Sequence, residues 1–205
     1  MRILLCCTVM LFFSCAAAFA ANTPEQAIRG AQRAIDAKNA DHFDQLVDTR
    51  RILDAAAALL LAEADKPDGL LPPILALMLS SVKDTEALAR LRALIAQEAH
   101  IFVRYGVTSG NFAGKPDNSI RPGGMLAHLF SDASMGRKEL RLAGPSATSG
   151  QGQAFLPVEL KDHGNDNIYP LLLRLQWQSP DWRIVEIVNL PDIWRQIQNE
   201  AKAQR

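Results

Sequence analysis

The sequence is short of cysteine and has no surplus of charge of either sign. Only three cysteines occur, and all lie within the first 15 residues (Cys6, Cys7 and Cys15). The 22 lysines and arginines balance 22 aspartates and glutamates, which argues against a nucleic-acid-binding protein, since affinity for phosphates needs basic side chains in excess. Hydrophobic residues make up 48% of the chain, which excludes a wholly disordered protein. The 205 residues suit one domain, or one domain with an appendage.

The first 20 residues have the pattern of a secretory signal peptide. Arg2 is the only charge, an apolar core runs from Ile3 to Phe13, and Ala18-Phe19-Ala20 is a cleavage signal of small residues. Cleavage after Ala20 predicts a periplasmic protein without cysteine, and therefore without disulfides, thiolate nucleophiles or Cys-ligated zinc. Two alternatives stay open: an uncleaved signal anchor, and a lipoprotein anchored through Cys15, which follows a segment resembling a bacterial lipobox.

Residues 21–205 are predicted to form a single α+β domain in which the helices come first. Thr23-Pro24-Glu25-Gln26 has the pattern of a capping box at a helix start. Apolar residues then recur at helical spacing, which predicts a helical part over 23–105. The last long helix is expected to end before Gly106, and the Gly-, Pro- and Asn-rich residues 106–124 are expected to be a loop.

The last third of the chain is predicted to be mainly β, over 138–190, because apolar and polar residues alternate between turn signals. We expect a curved antiparallel sheet of three to four strands, on which the N-terminal helices pack. Residues 144–152 are rich in glycine and read as a flexible connection. A short C-terminal helix over 191–203 is expected to pack back on the sheet.

Two registers of the last two strands fit the sequence. One pairs Trp177 with Trp182 but places Glu186 against Leu173. The other places Arg174 opposite Glu186, which is an attractive cross-strand pair. We expect the second register.

The same hairpin carries the most chemically varied group of side chains in the sequence. Aromatic walls with an arginine at the rim suit an apolar ligand that has an acidic head group. The alternative is that the tryptophans fill the core and the arginine and glutamate form a surface ion pair. The candidate ligand-binding residues are Tyr169, Arg174, Trp177, Trp182 and Glu186.

A second candidate surface is the charge-free segment Leu70–Leu79. A helix that is apolar on all sides is either a buried core helix or a surface for a lipid or a second protomer. Ten residues are too few to span a bilayer, which takes about 20. The candidate interaction residues are Leu70, Leu71, Ile74, Leu77 and Met78.

Catalytic and metal-binding motifs are missing from the sequence. There is no His-Glu-x-x-His pattern and no Gly-x-Ser-x-Gly elbow, and the four histidines have no ligand spacing between them. The turn over 162–167 is rich in Asp and Asn but lacks the pattern of a calcium loop. We therefore predict no catalytic residue, no metal and no cofactor.

Two stretches nevertheless resemble known families. Ala34-Ile35-Asp36-Ala37-Lys38-Asn39-Ala40-Asp41, followed by Leu46-Val47-Asp48 and two arginines, resembles the opening of a family of uncharacterised bacterial envelope proteins. Asp181-Trp182-Arg183-Ile184-Val185-Glu186-Ile187 resembles the final strand of nuclear-transport-factor-like and cystatin-like α+β domains. The resemblance implies an envelope protein with a helical middle and a late hairpin, and it supplies no catalytic residue.

The sequence thus favours an exported, non-enzymatic binding or protein-interaction module with an apolar groove. The expected partner is a protein, a second copy of the chain, an apolar small molecule or a lipid, and not a nucleic acid. A structural helper in secretion or envelope assembly is another possibility. The enzymatic alternative is a nuclear-transport-factor-like scaffold with a buried His–carboxylate pair, in which His100 or His128 contacts Asp132 or Glu98.

Overall fold

The computed structural model describes residues 23–64, 73–127 and 136–203. The predicted signal peptide, Cys15, Leu70, Leu71, His128 and Asp132 lie outside these ranges. The described helices are α1 (Pro24–Asp36), α2 (Ala40–Leu46), α3 (Thr49–Ala64), α4 (Pro73–Ser80), α5 (Thr85–Thr108) and α6 (Leu190–Ala203). The described strands are β1 (Lys138–Leu142), β2 (Ala147–Ser149), β3 (Gln153–Asp162), β4 (Ile168–Gln178) and β5 (Asp181–Ile187).

The α+β class, the order of helices before strands and the short C-terminal helix are confirmed. The strands form one antiparallel sheet in the order β1-β3-β4-β5, and β2 also pairs with β3. Five strands replace the expected three to four, because β2 forms within the stretch that reads as a flexible connection. A turn that ends at Gly152, whose φ is 66°, folds β2 back on β3. Three residues are too few to show an alternating pattern in the sequence.

The first core lies between α1, α2 and one face of the sheet. Thr23 caps α1 with a complete capping box, as predicted. The buried side of α1 then packs on the strands, whose inward residues alternate with outward ones. The segment between α2 and α3 also lies along the edge of β5, where the Asp48 N–H donates to the Ile184 carbonyl at 2.7 Å. The core includes Ala27, Ile28, Ala31, Leu156, Val158, Leu173, Leu175 and Ile184.

A second apolar cluster joins α3, α4 and α5, away from the sheet. It contains Ala57, Leu61, Leu75, Leu91, Ile95, Ala96 and Leu126. The helical half therefore has a core of its own beside the one that it shares with the strands. Within the described ranges, no helix combines the length and the apolar character that crossing a bilayer requires.

Helix α5 continues to Thr108, past the end that Gly106 suggests in the sequence. Gly106 is buried, and its missing side chain leaves room for the ring of Phe112, which packs against it. The Phe112 N–H donates to the Gly106 carbonyl at 2.9 Å, so the chain turns back directly after the helix. Gly106 thus permits a close tertiary approach instead of ending the helix.

Both registers considered for the last hairpin occur in the same structure. Trp177 lies opposite Trp182, and Arg174 lies opposite Glu186. The register shifts between Arg174 and Leu175 because β5 has one extra residue, Val185, between the two paired segments. The expected pairing of Arg174 with Glu186 is confirmed. The expectation that it excludes the tryptophan pairing is wrong, because the bulge in β5 lets both pairings form.

Candidate functional site

The five hairpin residues singled out in the sequence lie on both faces of the sheet. Tyr169 and Trp177 are an even number of residues apart on β4 and share one face, whereas Arg174 points to the other. Cross-strand pairing places Trp182 with Trp177 and Glu186 with Arg174. The structure therefore brings together the two tryptophans, and separately the ion pair, but it does not join all five residues in one pocket.

Arg174 and Glu186 bind each other. The Arg174 Nε donates to Glu186 Oε2 at 2.7 Å, and the arginine side chain is only 18% exposed. Tyr169 is buried, and its hydroxyl donates to Glu200 of α6 at 2.8 Å and accepts from Asn165 at 3.0 Å. Burial raises the pKa of the Tyr169 hydroxyl. These three side chains are occupied by partners within the chain.

The two tryptophans form the end of the helix-covered face of the sheet. Their rings stack edge to face with centroids 5.7 Å apart, a preferred aromatic geometry. Trp182 packs against the first core, whereas Trp177 is 40% exposed. The pair thus continues the core outward to the protein surface.

Trp182 forms one wall of a pocket between the start of β5 and helix α1. We call this the α1–β5 pocket, and its volume is about 360 Å³. Its floor is formed by small residues of α1, of which Gly30 is buried because α2 packs closely there. A Cβ at Gly30 would lie 2.9 Å from Leu46 Cδ1. The residues that line it include Arg29, Gly30, Arg33, His42, Asp181 and Trp182.

Sequence reasoning missed the basic side chains of this pocket. Arg29 and Arg33 are one helical turn apart and so lie on the same face of α1. Both are exposed, and Arg33 Nη2 lies 4.0 Å from the Cβ position of Gly30, over the floor of the pocket. The spacing Arg29-Gly30-x-x-Arg33 was visible in the sequence. The two arginines lie close to Trp182 only because α1 packs across β5.

The charge-free segment is half covered. Leu75 is buried in the second core, and Ile74 and Met78 are half-buried against it. Leu77 points outward with 66% of its surface exposed. Of the five candidate interaction residues, the structure describes Ile74, Leu77 and Met78. Among these three, only Leu77 has a large exposed apolar surface.

A histidine–carboxylate pair does exist, but with a different carboxylate from those expected. His100 Nε2 lies 3.7 Å from Asp44 Oδ2, and the His100 side chain is 13% exposed. Arg104 also binds Asp44, as well as Asp41 at 2.6 Å. Glu98 instead accepts the N–H of Leu126 at 2.8 Å. The His100 pair sits where α5 meets α2 and α3, in a cleft of about 470 Å³.

The environment of His100 favours the neutral ring over the charged one. Burial lowers its pKa from the ordinary value of 6.5, Asp44 opposes that shift, and Arg50 and Arg104 add to it. Nδ1 is buried and has no hydrogen-bond partner among the described residues. Nε2 is the ring nitrogen that faces Asp44, at a distance beyond hydrogen-bond range, whereas Nδ1 is closed off from solvent.

No group of histidine, cysteine, aspartate or glutamate side chains in the described ranges is arranged to hold a metal ion. Comparisons with protein-family models, with curated proteins and with solved structures find no match for this chain.

Proposed function

We propose that this protein is an exported, non-enzymatic binding module of the bacterial envelope, and that the α1–β5 pocket holds a small amphipathic molecule. The observation that carries the proposal is the position of Trp182. Its indole lies between an apolar core and a pocket whose rim is polar. Such a combination suits a ligand with an apolar body and a polar end.

The size of the pocket agrees with this class of ligand. Small-molecule sites commonly measure about 300–1,000 Å³, and the α1–β5 pocket is at the lower end with about 360 Å³. Trp177 extends the apolar wall beyond the pocket, because it stacks on Trp182 and is 40% exposed. An apolar body longer than the pocket would therefore rest on Trp177.

Binding can be measured through the tryptophans themselves, because the chain has only three. In a Trp194→Phe variant, only Trp177 and Trp182 fluoresce. Trp194 Nε1 is buried without a partner among the described residues, so its replacement breaks no hydrogen bond there. We expect a neutral naphthyl probe to change this fluorescence on saturable binding. A Trp182→Phe variant should bind the probe several-fold more weakly, and equal affinity in both variants would remove the proposal.

Export is a separate part of the proposal and has its own test. It is supported by the pattern of the first 20 residues. The intact mass of protein from a periplasmic extract should correspond to a chain that begins at Ala21. A mass that retains Cys15 with acyl chains would mean a lipoprotein, and the full-length mass would mean that the signal is not cleaved.

The enzymatic alternative is supported by one observation, the contact of His100 with Asp44. It requires that Nδ1, which is buried, become accessible to a substrate. Diethyl pyrocarbonate acylates accessible imidazole nitrogens, so it should modify the exposed His42 well before His100. Modification of both at the same rate would favour the enzyme.

A further inference from the structure

The α1–β5 pocket has an uneven distribution of charge in a chain whose net charge is zero. Its lining includes two guanidinium groups, from Arg29 and Arg33, and one carboxylate, from Asp181. The imidazole of His42 lines the same pocket. The pocket therefore carries a local excess of positive charge.

Neither Arg29 nor Arg33 has an ion-pair partner within the described part of the chain. Several arginines elsewhere do have one: Arg104 binds two aspartates and Arg174 binds Glu186. Like charges one helical turn apart destabilise a helix. An anion between the two guanidiniums would turn this repulsion into two attractive contacts.

Phosphate is the anion that best matches this pair of side chains. Guanidinium groups donate paired hydrogen bonds to phosphate oxygens, and a phosphate monoester has enough charge and oxygens to engage two arginines. Residues one turn apart have Cβ atoms about 5–6 Å from each other, so both side chains can converge on one group. Arg33 already lies over Gly30, at the floor of the pocket.

We propose that the α1–β5 pocket recognises a phosphate ester attached to an apolar or aromatic body, with Arg29 and Arg33 binding the phosphate and Trp182 packing against the body. This inference rests on the proposed function and names the head group of its ligand. The source of the ester is either a soluble molecule or a phospholipid head group. In both, the same oxyanion chemistry meets the same arginines.

The test compares phenyl phosphate with phenol, by titration of the mature protein carrying Trp194→Phe. We expect saturable binding of phenyl phosphate and much weaker binding of phenol. The Arg29→Gln/Arg33→Gln double variant should lose at least about tenfold in affinity, because it removes the positive charges and the charge-assisted hydrogen bonds that hold the phosphate. Both arginines are exposed, so the variant should fold as the parent does.

A matched control removes two charges elsewhere. Arg121 and Lys202 are exposed and line none of the cavities described above, so Arg121→Gln/Lys202→Gln should leave the affinity for phenyl phosphate unchanged. An equal loss in both double variants would mean non-specific charge attraction and would overturn the inference. So would phenyl phosphate binding that survives the loss of Arg29 and Arg33.

A second arm separates the two sources of the phosphate. Co-sedimentation with vesicles that contain phosphatidic acid, whose head group is a phosphate monoester, identifies a lipid head group if it depends on Arg29 and Arg33. Binding of phenyl phosphate without vesicle binding identifies a soluble ester, and either result supports the proposal. If the naphthyl probe still binds through Trp182 but neither phosphate source does, the head group is wrong and the binding function stands. If no probe binds, both fall.

Discussion

The ring of Phe112 lies directly against the backbone of Gly106. A Cβ at that position would overlap the ring, which leaves no room for any side chain. Phe112 itself is buried in a small cluster with Ile35, Ala40 and Val107. This contact joins the end of α5 to α1 and α2, and it places α5 against the helices that form the α1–β5 pocket.

Gly106→Ala should therefore destabilise the protein by about 1–3 kcal/mol, because the added methyl group overpacks the site. Urea unfolding followed by circular dichroism measures the difference. Gly150→Ala is the matched control, since a Cβ there meets no atom within 4 Å. A Gly106→Ala/Phe112→Ala double variant should cost less than the sum of the two single changes, because the ring that clashes is gone.

Lys138 and Asp162 form an ion pair that the structure almost encloses. The two charged atoms are 2.6 Å apart, and the side chains are 14% and 9% exposed. Burial lowers the pKa of Lys138, while the bond with Asp162 opposes the shift. Lys138→Met should cost about 3–5 kcal/mol, because Asp162 then remains buried without its cation.

The double variant Lys138→Met/Asp162→Leu is the informative comparison for that pair. Replacing both partners removes the stranded charge, so it should recover much of the stability lost in Lys138→Met. Some loss should remain, because Asp162 also accepts the Gly164 N–H at 2.9 Å. Equal stability of the single and double variants would contradict a buried, interdependent pair.

The stability of the fold should depend on pH through His100. Because burial lowers its folded-state pKa below 6.5, the unfolded chain binds a proton more readily than the folded one. The free energy of unfolding should then fall as the pH drops below about 6.5, and be unaffected by His100 above that range. His100→Gln should flatten this dependence between about pH 7 and pH 5, in urea titrations at each pH.

The pH dependence of Glu139 falls in a different window. Its pKa is lowered to about 2, chiefly by a hydrogen bond from Arg141 and then by one from His163. Its contribution to stability is therefore complete above about pH 4.5 and is lost as the pH falls toward 2. Glu139 therefore does not account for a change in stability between pH 7 and pH 5. If the free energy of unfolding still falls over that range in His100→Gln, as much as in the parent, the role assigned to His100 is contradicted.

The two faces of α4 should respond differently to substitution. Leu75 is 4% exposed, so Leu75→Ala should cost about 2–5 kcal/mol. Leu77 is 66% exposed, so Leu77→Ser should change stability by less than about 0.5 kcal/mol. If α4 is an interface between copies, Leu77→Ser should also shift the protein toward monomer in sedimentation velocity, whereas an unchanged oligomeric state would exclude Leu77 from such an interface.

Local sequence patterns predicted the elements well where the physical signal is local. The capping box at Thr23, the alternation of β4 and the charge pair of Arg174 with Glu186 depend on residues that are close in sequence or lie opposite each other in one hairpin. The bulge at Val185 was not predicted from the sequence, because it depends on the packing of β5, where Ile184 and Val185 are both buried. A regular strand would have exposed one of them.

In the candidate site, too, some features follow from local sequence and others only from tertiary packing. The sequence by itself determined that Trp182 follows a turn in the last hairpin and that Arg29 and Arg33 share a face of α1, because both statements need only the periods of a strand and a helix. Only the tertiary structure placed the arginines beside the tryptophan, some 150 residues apart in the chain. The tertiary structure also separated Arg174 from Trp182. The two residues belong to the same hairpin, but they lie on opposite faces of the sheet, and one pocket can take side chains from only one face.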